Sequence, residues 1–163
     1  MRTAAKVLIG LVIFVIIIIV ILGYVGLVNV PLITSSPQAY SGGTEITDSV
    51  STLFETIQQL SGTEQPMSLN TLQSYGLVVH FYGTDDSLNV VEGYYAAYLE
   101  DWSLDHDESG PRWTTKIWRN IAYGFGFMGG QHSLIKSSTG YNTIYMTIEG
   151  TALQWAPLLN QIN

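Results

Sequence analysis

Residues 75–101, YGLVVHFYGTDDSLNVVEGYYAAYLED, contain a change of hydrophobic period that decides the fold class. Over Tyr75 to Tyr82 the apolar side chains alternate, with Leu77, Val79 and Phe81 on one face and Val78, His80 and Tyr82 on the other. That period of two, carried by β-branched and aromatic residues, is the pattern of a strand. Gly83-Thr84-Asp85-Asp86 then reads as a turn. Beyond it Leu88, Val91, Tyr95 and Tyr98 recur at three and four. This is the stripe of an amphipathic helix running to about Asp101, with Asp86 or Ser87 as its N-cap. Gly93 in its middle costs about 1 kcal/mol relative to Ala, and suggests a point where the helix approaches a sheet closely.

Upstream, Glu45 to Val50 has the composition of a short strand with Ile46 inward, but from Asp48 a helical spacing competes. Val50, Leu53, Phe54, Ile57 and Leu60 form the stronger pattern, capped by Asp48 or Ser49 and ended by Ser61-Gly62. Thr63 to Asn70 reads as a loop. Downstream, Trp102 to Asp107 is expected as a strand, followed by a turn at Glu108-Ser109-Gly110-Pro111. From Trp113 the chain alternates again, with Ile121, Tyr123, Phe125 and Phe127 opposite Ala122, Gly124, Gly126 and Met128. Gly129-Gly130 is a hairpin signal, so His132 to Ser137 is expected to return as a strand. After a turn at 138–142, Thr143 to Glu149 forms a strand with Ile144, Met146 and Ile148 inward. The tail from Thr151 carries Leu153, Trp155, Leu158 and Leu159 at helical spacing, with Pro157 disrupting its middle. The sum is an α+β fold, a two-layer domain of antiparallel sheet with one or two packed helices.

At the N-terminus, residues 7–28, VLIGLVIFVIIIIVILGYVGLV, carry no charge at all. A helix of 22 residues is roughly 33 Å long, enough to cross a hydrocarbon core of about 30 Å. Ile and Val are mediocre helix formers in water, but in lipid the helix alone pairs every backbone amide. Arg2 and Lys6 precede the block and the next basic residue is Arg112, so the positive-inside bias keeps residues 1–6 in the cytoplasm and sends the rest outside. Tyr24 lies near the outer interface. A cleaved secretory signal fits less well, since its apolar core is shorter and a small-x-small site is lacking. A lipid-anchored lipoprotein requires a cysteine, and the chain has none. The organisation expected is a cytoplasmic N-terminus (1–6), a transmembrane helix (7–28), a tether rich in Pro, Ser and Gly (29–43) and an extracytoplasmic domain (44–163). From Pro31 to Gly43 the tether would reach about 45 Å if fully extended.

The run Pro37-Gln38-Ala39-Tyr40-Ser41-Gly42-Gly43-Thr44-Glu45-Ile46 resembles the P-x-Y-P-G-A-T/E entry of small exported domains of bacteria and archaea. Thr84-Asp85-Asp86-Ser87-Leu88-Asn89-Val90-Val91, followed by Tyr94-Tyr95 and Leu99, resembles their T-S-D-S-x-x-x-V-x-x-F-Y-x-x-x-L segment. Asp101-Trp102 stands in the place of their usual Gly-Trp. The resemblance implies a membrane-anchored α+β domain and confers no catalytic residues.

Charge narrows the function classes further. All 13 acidic residues lie beyond the apolar block, against only Arg112, Lys116, Arg119 and Lys136, a balance of −9 with histidine neutral. Such a surface disfavours nucleic acid and anionic lipid headgroups. There is no G-x-S-x-G, no cysteine nucleophile and no Walker-type phosphate loop, so no enzyme is expected and no cofactor is called for. Asp105, His106, Asp107 and Glu108 are candidate ligands for a hard cation or a transition metal, although an acidic strand edge that discourages pairing explains them as well. His80, His106 and His132 would form a metal site only if the fold brought them together. Trp113, Trp118, Tyr141, Tyr145 and Trp155 are candidate interface aromatics. The function expected is a single-pass, membrane-anchored interaction module or accessory subunit that meets the bilayer through residues 7–28 and a protein partner, or its own copies, outside. A pilin-like filament subunit and a ligand- or metal-binding ectodomain are the alternatives; the first lacks its usual acidic residue near the start of the apolar helix.

Overall fold

The computed structural model of the chain describes residues 16–18, 21, 36–47, 50–61 and 68–162. Among them no helix is long and apolar enough to cross a membrane. The expected span at 7–28 lies outside the described residues apart from positions 16–18 and 21, four helical isoleucines that are all exposed.

The domain is built on one six-stranded antiparallel sheet in the order β1-β2-β6-β5-β4-β3. Its strands are β1 (Thr44–Glu45), β2 (Val78–Thr84), β3 (Ser103–Gly110), β4 (Trp113–Arg119), β5 (Tyr123–Gln131) and β6 (Thr143–Thr151). Five helices accompany them: α1 (Val50–Ser61), α2 (Leu69–Ser74), α3 (Leu88–Tyr98), α4 (Ser133–Thr139) and α5 (Ala152–Ile162). The α+β class is therefore correct, but the sheet is the middle of three layers and not one of two. Leu53, Phe54 and Ile57 of α1, Leu72 of α2, Ile135 of α4 and Trp155 and Leu158 of α5 share one core with Phe81, Ile117, Met128, Met146 and Ile148. On the opposite face α3 alone packs Leu88, Val91 and Tyr95 over Trp118, Phe125, Phe127 and Tyr145. The second cover follows from β5, where Phe125 and Phe127 face one side while Gly124, Gly126 and Met128 face the other, so both sides of the sheet centre must be shielded from water.

Several boundaries move for identifiable reasons. β2 continues through Gly83 and Thr84, where a turn is expected, because both residues pair with β6 at Ile144 and Thr143. β3 likewise runs on to Gly110, leaving Pro111-Arg112 as the turn of the hairpin. Gly129-Gly130 does not turn the chain. Both residues stay in β5, paired with β4 on one side and β6 on the other. The segment expected to return as a strand is instead α4, capped by His132 and closed by Gly140 in the left-handed region at φ +81°. A seven-residue helix thus links two neighbouring antiparallel strands. Of the loop expected at 63–70, positions 63–67 lie outside the described residues, and Leu69-Asn70 instead begin α2, whose N-cap Ser68 accepts the Thr71 amide at 3.1 Å. In α3 the buried stripe ends on Leu99, with no exposure, while Tyr98 is 48 % exposed.

Two glycines of β5 admit the largest core side chain. A Cβ at Gly124 or Gly126 would sit 2.5 Å or 2.7 Å from the Trp155 ring, and the indole Nε1–H donates to the Gly124 carbonyl at 2.9 Å. Pro157 lies inside α5 without breaking it, although proline has no N–H to donate to the carbonyl four residues back, that of Leu153. Gly93, by contrast, faces open space, with nothing within 4 Å of an added Cβ, so it marks no close approach to the sheet.

The stretch expected as a free tether is partly docked. Pro37 is buried, Tyr40 stacks edge-on against Tyr94, and the Tyr40 amide donates to the Tyr95 hydroxyl at 3.2 Å. The Tyr40 hydroxyl donates to Asp86 at 2.6 Å, and Ser36 donates to Glu149 of β6. Residues 36–43 belong to the folded domain.

Candidate functional site

A cleft of about 650 Å³ opens where β5 runs out, at the end of the sheet nearest the β3–β4 turn. The start of α3 contributes Leu88, Asn89 and Glu92; the turn contributes Ser109 to Trp113; the β5–β6 connection contributes Gln131, His132, Ser133, Lys136 and Asn142. The volume lies within the range of about 300–1,000 Å³ common to small-molecule sites. The cleft exists because α3 is, among the described residues, the one helix packed on its face and begins at Leu88, level with Gly129, whose missing side chain admits the Leu88 methyl.

The side chains around the cleft are held in definite hydrogen-bonding states. Gln131 accepts the Leu88 amide through Oε1 at 3.1 Å, which leaves its Nε2 as the free donor end. Asn142 donates through Nδ2 to the Asp85 carbonyl at 2.7 Å, which leaves Oδ1 as an acceptor. His132 accepts the Leu134 amide at Nδ1, 3.1 Å away, so when the ring is neutral its proton resides on Nε2. Ser87, the N-cap of α3, makes no side-chain bond to the first turn of that helix. Beneath these groups lies Thr114, 1 % exposed, whose Oγ1 has no hydrogen-bond partner among the described residues. A buried hydroxyl left in that state costs about 1–3 kcal/mol.

The four cations of the domain divide sharply. Lys116 reaches Asp107 at 2.8 Å and Glu92 at 3.2 Å, and Arg119 reaches Asp105 at 2.8 Å. Burial pulls the Lys116 pKa down, but its two carboxylate partners outweigh that effect and hold it above the usual lysine value. Arg112 and Lys136 form no ion pair among the described residues, and both line the cleft. Glu92, the one carboxylate at its edge, is already engaged by Lys116.

The sequence-derived candidates fare differently. Trp118, Tyr145 and Trp155 are 4 %, 0 % and 0 % exposed, so they fill the core and offer nothing to a partner. Their number reflects a sheet covered on both faces, which needs two cores in place of one. Trp113 and Tyr141 are half-buried; Trp113 flanks the cleft, while Tyr141 packs over Gly83. Asp105, His106, Asp107 and Glu108 lie along the edge strand β3. Asp105 and Asp107 pair across to β4, and His106 Nε2 stands 3.9 Å from Glu108. Among the described residues no group of three or more His, Asp or Glu side chains is placed to hold a metal ion. His80 and His106 lie on β2 and β3 with three strands between them, roughly 19 Å apart across the sheet, so the three histidines do not converge. Arg112, Lys136 and Thr114 were not singled out as site residues from sequence, and His132 was considered only as one of three possible metal ligands. The scarcity of basic residues was the one signal that pointed towards them.

No family model, curated protein or solved structure matches the chain.

Proposed function

We propose that the chain is a single-pass, membrane-anchored extracytoplasmic recognition domain, an accessory subunit that uses the cleft beside α3 to engage anionic groups presented outside the membrane. The observation that carries this reading is the placement of Arg112 and Lys136. In a domain with a balance of −9, the two cations that form no ion pair among the described residues line one cleft. Structural cations elsewhere are neutralised within the fold; these two are available to a ligand.

The anchor assigned to residues 7–28 fits this arrangement. Ser36 joins the domain at Glu149, and the cleft opens beside Asn142. Those positions are six strand residues or more apart on β6, about 20 Å at 3.3 Å per residue. The chain thus enters at one end of the sheet and the cleft opens at the other. Since residues 36–43 are docked, only seven residues separate the end of the apolar block from the domain, a reach of at most about 25 Å. The domain would sit close to the bilayer with its cleft directed away from it.

A topology experiment tests the anchor. The chain has no cysteine, so Glu100→Cys, on the exposed surface, provides a unique label. A membrane-impermeant maleimide should modify it in intact cells; labelling only after lysis overturns the orientation. Copurification from mild detergent tests the use of the cleft. Partners or ligands retained by the wild type should be lost from Arg112→Glu with Lys136→Glu, and an unchanged set would count against recognition through this site.

A further inference from the structure

We propose that the ligand of this cleft is an acidic sugar, a hydroxylated pyranose ring bearing a carboxylate, presented singly or as a short uronate-containing glycan. The inference rests on the recognition reading above and specifies its chemistry.

Three properties of the cleft select that class. Its charge calls for an anion: Arg112 offers the planar fork that matches a carboxylate bidentately, and Lys136 adds a second positive charge. Its polar groups call for hydroxyls, because both donors and an acceptor line the walls. Gln131 retains Nε2–H, His132 retains Nε2–H and Asn142 retains Oδ1, each with its opposite end tied to a backbone group. Side chains fixed in this manner pay little entropy on binding. The third property is the indole of Trp113, held against Gly110 so closely that a Cβ there would lie 2.2 Å from Nε1. An indole lining the cleft offers apolar contact to the C–H groups of a pyranose.

An extended acidic peptide satisfies the charge but not the rest. It presents carboxylates on flexible arms and backbone amides in place of a rigid ring of hydroxyls. Its natural dock is a sheet edge or an apolar groove, whereas this cleft is short, polar and closed by the β3–β4 turn.

The test uses the full-length chain in mild detergent, titrated by calorimetry and tryptophan fluorescence with digalacturonate. Galactobiose, acetate and hexaglutamate serve as comparison probes. Digalacturonate should bind saturably and at least tenfold more tightly than each of the others. Arg112→Ala with Lys136→Ala should weaken it at least tenfold while the melting temperature stays within about 2 °C. Trp113→Phe should weaken it by a smaller factor and remove much of the fluorescence response. If galactobiose, acetate or hexaglutamate binds as tightly as digalacturonate, the acidic-sugar assignment falls and recognition of anions survives. If no probe binds and the double charge reversal changes nothing in copurification, both readings fall.

Discussion

The two faces of the sheet are covered in different ways. On one, four helices press mainly aliphatic side chains, with Phe54, Phe81 and the Trp155 indole, into a continuous core. On the other, one helix covers an aromatic cluster in which Tyr95 lies 5.1 Å from Phe125, 5.4 Å from Phe127 and 6.2 Å from Tyr145, ring centre to ring centre. Four helices leave little of their face open. One helix of eleven residues cannot span a six-stranded sheet, and the uncovered end becomes the cleft. The aromatic face also carries the docked residues 36–43 and the Lys116 ion pairs, so polar chemistry concentrates on the side with less cover.

This contrast can be broken from either side. The largest effect is expected on the aliphatic face, where Trp155→Ala should cost about 3–5 kcal/mol, read by chemical denaturation, since no neighbour can refill the space against Gly124 and Gly126. On the other face Lys116→Ala strands Glu92 and Asp107 and should cost about 1–2 kcal/mol; at high salt the loss should shrink if the pairs are as accessible to screening as Asp107 is.

The aromatic face should also respond to alkali. Burial pushes the Tyr95 hydroxyl up to about 12 from an ordinary value of 10, and burial raises Tyr145 further. A phenol with a raised folded-state pKa keeps its proton more firmly in the folded chain. The stability it contributes is complete below pH 10 and is lost as the pH climbs from 10 towards about 12. Melting temperatures should therefore fall across that window. Tyr95→Phe should cost about 1 kcal/mol at neutral pH, by removing the acceptor of the Tyr40 amide, and should flatten the alkaline decline. A decline of equal slope in the variant would assign the effect to other groups.

Smaller effects sharpen the comparison. Gly93 points into open space on the outer side of α3, so Gly93→Ala should stabilise the domain by about 0.4–1 kcal/mol through backbone entropy alone. Arg112→Ala with Lys136→Ala should change stability by less than about 0.5 kcal/mol, because neither cation is in an ion pair among the described residues. A larger loss would mean that these cations hold the domain together and are not reserved for a ligand.

Much of the fold was legible because periodicity is a local property. The face assignments of β2, β5 and β6 came directly from alternation, and the helices at α1, α3 and α5 from spacings of three and four. The errors share a cause. Gly83-Thr84, Gly110 and Gly129-Gly130 carry turn signals, yet each remains in a strand because neighbours on the sheet satisfy its backbone. Turn propensity is weak beside a row of ladder hydrogen bonds. Pairing partners lie up to about 70 residues away in sequence, and no local window contains them. The candidate site was the least legible part. Aromatics chosen by count proved to be core, and the residues that line the cleft carry no motif.

By itself the sequence determined the α+β class, the uncharged apolar block at 7–28, the acid-rich composition of all that follows and the inward faces of the central strands. These are sums or short-range patterns, and both can be read along the chain. Only the tertiary structure decided that the sheet is covered on both sides, that Lys116 and Arg119 are neutralised while Arg112 and Lys136 are not, and that residues 36–43 dock against α3. Each depends on which distant side chains come within about 3 Å of one another. That is a property of strand order and helix placement, which the chain encodes only through its packing as a whole.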